Sequence, residues 1–543
     1  MEQEPLGTMR DDGREPARAG GASGHEARAG GRGPGGSSGR WAGRPAGRRP
    51  DGPAGAPGAA QPAARPPAQD SPGPAALPLP GVGAAEGKEP VLLSPGPTAL
   101  PPEVRAACAR QVVLHRSAEF DRISSEVLEG LRRLFHTRGR VVVFPCSGTG
   151  AQEAAVVNTL SPGDRVLAVV MGVFGDRFAA IAEAYGLEVD RLEVPWGQVP
   201  AVAEVVDRLR APAAGGGGGA GRPYRAVLLT HSETSTGALL PLAELVPAIR
   251  AAAPDTLVLV DMVSSFAAVP VDMDGWGIDV AVTGSQKALM TPPGLGIVAL
   301  GPRALKAVEA ARLPRFTWDL RPYLAGRGDF PYTPAVTLWF GLQAALGRIA
   351  AEGEENVYRR HRLLAAMVRA GVRALGLEPL APDSAASPTV TAVVLPAGID
   401  PAEVIRRLRD EHGVIVVSAQ GHLKDRAFRI GHMGAVGPEE VLAGMRALDA
   451  VLGPMLARAG RPRRGDAAAG AGASGATVPI GAGEPGSAWE AARAVWEAFR
   501  RRGELPALPA AAPAAGPAVA SPGRPAAGSS GEGRAPAPAE VGG

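Results

Sequence analysis

The sequence predicts an α/β protein: a large domain with a mostly parallel sheet, followed by a smaller α+β domain. Three observations carry this. Between about residues 140 and 300, short aliphatic runs alternate with amphipathic helical stretches, the pattern of βαβ units. Runs such as Val227-Leu228-Leu229 and Val258-Leu259-Val260 are apolar at consecutive positions, as in strands covered by helices on both faces. The 74 glycines and 54 prolines are densest at the two ends of the 543-residue chain. The middle, roughly 370 residues, is long enough for one large core and a smaller one.

The elements follow in order. Strands are expected at Arg140–Pro145, Arg165–Met171, Glu188–Val194, Arg225–Thr230, Leu257–Asp261, Asp279–Thr283 and Gly296–Leu300. Helices are expected between them at Gly150–Thr159, Asp176–Tyr185, Val202–Leu209 and Leu242–Ala252. A long helix near Val336–Ala351 leaves this unit. Helix Tyr358–Leu375, strand Thr389–Leu395, helix Pro401–His412, and strands Val414–Ser418 and Ala427–Ile430 make the smaller one. The expected organisation is a tail over 1–90, an arm and large domain over 91–350, a small domain over 351–457, and a second tail over 458–543. Both tails are expected to be disordered, because Gly/Pro/Ala-rich chain buries too little apolar surface to offset its ordering entropy. Gly215–Gly219 reads as a surface loop. One ordered island stands in the second tail, a helix over 487–501. There Ser487 and Glu490 suggest a capping box, and Trp489, Val495, Trp496 and Phe499 share one face. It reads either as a docking helix or as a short helix that frays in water.

Composition excludes several classes. Two cysteines rule out a disulfide framework or a Cys-rich zinc site. No His or Cys spacing suggests a metal ligand set. A net charge of +3 gives no electrostatic reason to expect nucleic acid. No apolar run is long enough to span a membrane. Met1–Arg18 mixes acids with arginines and lacks an apolar stretch, so no secretory leader is expected. A cytoplasmic location follows as the expectation. Lysine is scarce: Lys88, Lys287, Lys306 and Lys424 are the only four, and the other 53 basic side chains are arginine. Positive surface charge here is written as arginine, so a lysine in a Gly-rich apolar setting asks for another explanation.

Ligands of open α/β sheets bind beyond the carboxyl ends of the strands. Four segments deliver polar residues there. Ser147-Gly148-Thr149-Gly150 opens a helix, where backbone N–H groups and the dipole suit a phosphate. Taken alone, it is an ordinary small-residue turn. Glu153 stands where a dinucleotide fingerprint needs its third glycine, and no lysine follows for a P-loop. His231 to Gly237 brings a cluster of hydroxyls. Asp261 ends a strand; alone, it would be a cap or a solvated acid. Lys287, in Gly284-Ser285-Gln286-Lys287-Ala288-Leu289, follows an apolar strand. A lysine in such surroundings can lose its proton near neutral pH, as attack on an aldehyde requires. Phosphate cradle, carboxylate and amine together match the needs of pyridoxal phosphate (PLP).

These segments, with Leu93-Ser94-Pro95-Gly96-Pro97-Thr98, Thr234-Ser235-Thr236-Gly237, Val263-Ser264-Ser265 and Phe428-Arg429-Ile430-Gly431, resemble the class V aminotransferases of PLP fold type I. Within that family the likeness is to the alanine–glyoxylate and serine–glyoxylate (serine–pyruvate) branch, and it runs from about Val91 to Leu452. The resemblance implies roles. Lys287 would bind the cofactor covalently and shuttle the substrate proton. Asp261 would pair with the ring nitrogen, Val263 would pack under the ring, and Phe174 would stack over it. Thr234 would bond near the ring hydroxyl. Ser147, Gly148, Thr149 and Gln286 would hold the phosphate. Thr333 would reach the cofactor of a neighbouring subunit, since family sites lie at a homodimer interface. Phe330 stands where some relatives supply a tyrosine hydroxyl. Arg429 would clamp the substrate carboxylate bidentately. The substrates implied are a small amino acid (serine or alanine) and a 2-oxo acid (glyoxylate or pyruvate), exchanged by a ping-pong mechanism.

Pocket shape around Phe174, Phe330, Tyr332 and Arg429 would set specificity. Cys108, on an amphipathic helix, and Cys146, ending a strand, read as packing residues. Desulfurase chemistry is disfavoured because no cysteine follows Cys146. Other transaminations remain as alternatives, of 2-aminoethylphosphonate, ureidoglycine or phosphoserine. A phosphonate or phosphate substrate would ask for further basic residues, with Arg321 and Arg327 the nearest by sequence. A non-enzymatic interaction subunit, of the soluble hydrogenase-subunit type, is the remaining alternative.

Overall fold

The structure is a computed structural model describing residues 89–211, 222–326, 330–459 and 487–503. The Gly215–Gly219 loop, Arg327, the tail over 1–88 and the tail segments 460–486 and 504–543 lie outside the described residues. So does the Ser487 side chain of the expected capping box.

Seven strands form the main sheet: β1 (Arg140–Phe144), β2 (Arg165–Val170), β3 (Glu188–Glu193), β4 (Ala226–Thr230), β5 (Leu257–Asp261), β6 (Val280–Gly284) and β7 (Gly296–Leu300). Their order is β1-β7-β6-β5-β4-β2-β3. Only β7 runs against its neighbours; the β3–β2, β2–β4, β4–β5 and β5–β6 pairs are parallel. Register aligns the strand ends. Thr230 pairs with Asp261, Asp261 with Val282, and Gly296 with both Gly284 and Phe144. The carboxyl ends of β1, β4, β5 and β6 therefore share one rim.

Alternate residues of each strand enter two separate cores. Val141, Leu167, Val227, Val258, Ala281 and Ile297 pack to one side with Ala118–Phe135, Leu242–Ala252 and Val336–Glu352. Val142, Val166, Leu228, Leu259, Val282 and Val298 pack to the other with Gly148–Thr159, Val173–Ala184 and Pro302–Ala310. Burial on both faces explains the continuous apolar strand sequences. The edge strand β3 is only partly buried and carries Glu188, Asp190, Arg191 and Glu193.

A second, antiparallel sheet pairs β8 (Val390–Val394) and β9 (Val417–Ser418) with β10 (Ala427–Gly431). Its core gathers apolar residues of Glu354–Ala374, Pro401–His412, Pro438–Arg458 and Ser487–Arg502. The single strand expected over Val414–Ser418 is two. Val414–Ile415 pairs in parallel with Val91–Leu92, while β9 pairs with β10.

Two long helices are absent from the expected elements. Ala118–Phe135 begins at Ser117, whose hydroxyl accepts the Phe120 N–H, and buries Phe120, Ile123, Val127 and Leu131. Pro438–Arg458 contains Gly444, Gly453 and Pro454, residues of low helix propensity; its buried face, including Val441, Met445, Leu448 and Leu452, carries it. The helix expected over 487–501 is observed at Ser487–Arg502, seated on Glu354–Ala374 and Pro438–Arg458. Ala488, Ala491, Ala492 and Val495 are buried there, and Asp449 accepts the Ala488 and Trp489 N–H groups at 2.8 and 3.0 Å. It docks on its own chain.

Candidate active site

Lys287 lies just past β6, its amine buried and bonded to the Pro95 carbonyl. Burial, with Arg429 nearby, lowers its pKa to about 8. The arm wraps it closely. Thr98 donates its N–H to the Gln286 carbonyl at 3.1 Å and its hydroxyl to the Lys287 carbonyl at 2.9 Å. Gly96 sits at φ +127°, and a Cβ there would lie 2.7 Å from Lys287 Nζ. The positive φ calls for glycine, and a side chain there would push the Lys287 amine aside. The same arm reaches the small sheet, where Gly431 donates to the Leu93 carbonyl at 2.7 Å.

Asp261, at the end of β5, is buried, and burial raises its carboxyl to about 7. Two donors oppose that rise by favouring the ionised form. Gln152 Nε2 bonds Asp261 Oδ2 at 2.7 Å, and the Val263 N–H bonds Oδ1 at 2.8 Å. Val263 in turn packs on the Ser147–Thr149 turn: a Cβ at Gly148 would meet Val263 Cγ2 at 2.6 Å. Ser147 precedes the helix without capping it through its side chain, so the amides of the first turn remain available. A Cβ at Gly284 would lie 2.9 Å from Gln286 Oε1 and 3.4 Å from the Gly148 nitrogen. Glycine keeps that space open, and Gln286 Oε1 is buried beside it without a hydrogen-bond partner.

Arg429 projects from β10 and is buried. Its Nε donates to the Ser418 carbonyl at 3.0 Å; one terminal nitrogen donates to the Thr234 carbonyl at 3.3 Å and Gln420 Oε1 at 3.1 Å. Burial lowers its pKa to about 10. No carboxylate lies in ion-pair range of it among the described residues. The Thr234 hydroxyl bonds Ser264.

Phe174 lies in the first turn of the helix after β2, and its N–H is fixed by Glu233, at 3.1 Å to the nearer oxygen. Glu233 also accepts from the Gly175 N–H at 3.0 Å and from the Ser235 N–H and hydroxyl. Burial pushes its carboxyl up while these donors pull it down. Ser147, Gly148, Thr149, Asp261, Val263, Gln286 and Lys287 thus form a linked set around the rim, joined from the small sheet by Arg429 through Thr234. Thr333 does not join it: it is exposed and bonds to none of these residues. Phe330 and Tyr332 turn to other partners. Phe330 packs against Phe120 and Trp339, with ring centroids 5.4 and 5.2 Å apart, and Tyr332 packs against Phe316. Burial pushes the Cys146 thiol up to about 12. His432 is an interior residue bonded to Thr391 at 2.9 Å.

Four site residues escaped the sequence reading: Gln152, Glu233, Arg177 and Gln420. Gln152 carried a signal, as a polar residue among Ala151, Ala154 and Ala155 on a helix buried nearly all round.

A buried amine, a buried carboxylate with two orienting donors and an open amide cradle fit PLP. The fold and this site define a PLP-dependent aminotransferase. The aminotransferase class-V family model matches residues 91–425, and the chain belongs to that family. It is 40% identical over 354 residues to the L-aspartate–glyoxylate aminotransferase of Paracoccus denitrificans, covering 64% of this chain and 88% of that one. It is also 40% identical over 343 residues to the soluble hydrogenase small subunit of a Synechococcus species, covering 62% and 86%. The crystal structure of alanine–glyoxylate aminotransferase from Nostoc superposes with a TM-score of 0.63 at 32% identity, covering 68% of this chain and 96% of that one.

Proposed function

We propose that the protein transfers an amino group from a small amino acid, serine or alanine, to glyoxylate or pyruvate, in two half-reactions at one site. The observation that carries this reading is Arg429. It is buried, oriented by Ser418, Thr234 and Gln420, and free of any carboxylate partner among the described residues. Its Nε and one terminal nitrogen are held by these oxygens, which leaves the other terminal nitrogen to meet one α-carboxylate. Donor and acceptor both carry that group, so both would use Arg429 in turn.

Bound PLP supplies an electron sink for the carbanion formed at the substrate Cα. Lys287 would bind its aldehyde carbon, and the lowered pKa leaves part of the amine neutral near pH 7 for that purpose. Once displaced by substrate, Lys287 Nζ would take the proton from Cα and return it on the cofactor side. Asp261 would hold the proton on the ring nitrogen, with Gln152 and the Val263 amide favouring the ionised carboxylate and aiming it. Gly148, Thr149 and Gln286 would take the phosphate, Phe174 and Val263 would bracket the ring, and Thr234 would meet its hydroxyl. Thr333, exposed here, would serve a second copy of the chain in a homodimer.

The test is the visible spectrum of the PLP-loaded protein before and after L-serine, L-alanine and glyoxylate, each added alone. A yellow band that bleaches with an amino acid and returns with glyoxylate supports the reading. A band untouched by all three overturns the proposed substrates in favour of other amines. A protein that gains no band with PLP overturns catalysis in favour of an interaction subunit, the reading suggested by the hydrogenase-subunit relative.

A further inference from the structure

Arg177 stands one turn into the helix Val173–Ala184. It is half-buried, with a terminal nitrogen 3.4 Å from the Thr149 hydroxyl and its guanidinium carbon 4.8 Å from the Phe174 ring centroid. No carboxylate among the described residues pairs with it. The acids nearest in sequence are engaged elsewhere: Asp176 and Glu183 both bind Arg191. Glu233, which holds the start of the same helix, spends its oxygens on the amides of Phe174, Gly175 and Ser235. Yet the charge of Arg177 reaches the centre of the site, since it bears on both Lys287 and Asp261. Three cations (Lys287, Arg429 and Arg177) thus face two buried acids (Asp261 and Glu233). A partly desolvated guanidinium left over in this way calls for an anion.

Its contact with Thr149 says where that anion sits. Thr149 belongs to the uncapped first turn of Gly148–Thr159, whose free amides and dipole favour negative charge. We infer that Arg177 is an anion-binding residue of this site, and that the anion it takes with Thr149 is the phosphate monoester of the cofactor. Amides and hydroxyls alone bring no formal charge to a dianion; Arg177 supplies it. A second carboxylate on a dicarboxylic amino acid is the other possible source of the same chemistry. The inference rests on the reading that the Ser147–Thr149 turn is the phosphate site.

The experiment uses the full-length apo-protein and its Arg177→Met and Arg177→Lys variants. Equilibrium binding of PLP and of pyridoxal, which lacks the phosphate, is followed by absorbance, with inorganic phosphate as competitor. For Arg177→Met, PLP affinity is expected to fall about tenfold to a hundredfold, the range of one charge-assisted hydrogen bond. Pyridoxal affinity should stay the same, phosphate should compete less well, and Arg177→Lys should recover part of the loss. Equal weakening of PLP and pyridoxal overturns the inference in favour of a packing role through Phe174. Unchanged PLP affinity with a raised KM for L-aspartate but not L-alanine overturns it in favour of the substrate's second carboxylate. If inorganic phosphate fails to compete on the parent protein, the phosphate-turn reading itself falls. If it competes equally on parent and variant, only Arg177 falls.

Discussion

Gln152 Nε2 lies 2.7 Å from Asp261 Oδ2, buried between the first helix of the site and the end of β5. The bond favours the ionised carboxylate against a burial that raises its pKa to about 7. A ring protonated at nitrogen needs that carboxylate. PLP affinity of the apo-protein should therefore fall below about pH 7. Gln152→Leu removes a donor to the charged form, so the midpoint should move to higher pH. A pH series of PLP titrations checks both, and an unmoved midpoint would show that Gln152 is idle.

The Lys287 pKa is shifted the other way, and its consequence is for stability. Its pKa in the folded apo-protein is lowered to about 8, below the ordinary 10.5. Between those values the unfolded chain binds the proton and the folded one does not, so the Lys287 contribution makes stability rise with pH across that window. Below pH 8 its full penalty is present. Lys287→Met should therefore stabilise the apo-protein more at pH 7 than at pH 10. Urea unfolding of both proteins at the two pH values is the measurement.

Glu233 ties the Phe174 segment to the residues beside Thr234 through three backbone amides and a hydroxyl. Glu233→Ala strands these donors in a buried place, a loss of about 1–3 kcal/mol per unsatisfied group at its largest. The expected result is a lower urea midpoint, with weaker PLP binding because Phe174 is no longer held. Full stability in the variant would contradict this account.

The helix Ser487–Arg502 begins at the Asp449 carboxylate. Asp449→Ala removes the acceptor for two free N–H groups and should cost about 0.5–2 kcal/mol. Deleting residues 460–543 should go further, because it uncovers the apolar faces of Glu354–Ala374 and Pro438–Arg458 that Ala488, Ala491, Ala492 and Val495 cover. Thermal unfolding of the truncated chain tests it. An unchanged Tm would mean the docked helix adds nothing to stability.

Legibility in the sequence varied with the range of the interaction. The helix Leu242–Ala252 and strands Leu257–Asp261 and Gly296–Leu300 match expectation to the residue, because local periodicity and flanking turns decide them. The amphipathic pattern of Ala118–Phe135 is equally local: Phe120, Ile123, Val127 and Leu131 follow at helical spacing from Ser117. Pro438–Arg458 was harder to read, because its glycines and proline argue against the helix that tertiary packing imposes. Val414–Ser418 reads as one strand, but its two halves serve different sheets, and nothing in five residues encodes the partners.

At the site, the sequence by itself determined the chemistry-bearing residues on the rim. Ser147 and Lys287 follow apolar strands and Asp261 ends one, and parallel strands with helical crossovers deliver their ends to one side. Tertiary structure alone decided what holds those residues. Gln152 meets Asp261 across 109 positions of chain, Pro95 receives Lys287 across 192, and Arg429 reaches the Thr234 carbonyl across 195. Pattern in a sequence reports which face of an element is buried. Which polar group meets which across that burial depends on strand order, register and the path of the arm, and those are properties of the folded chain.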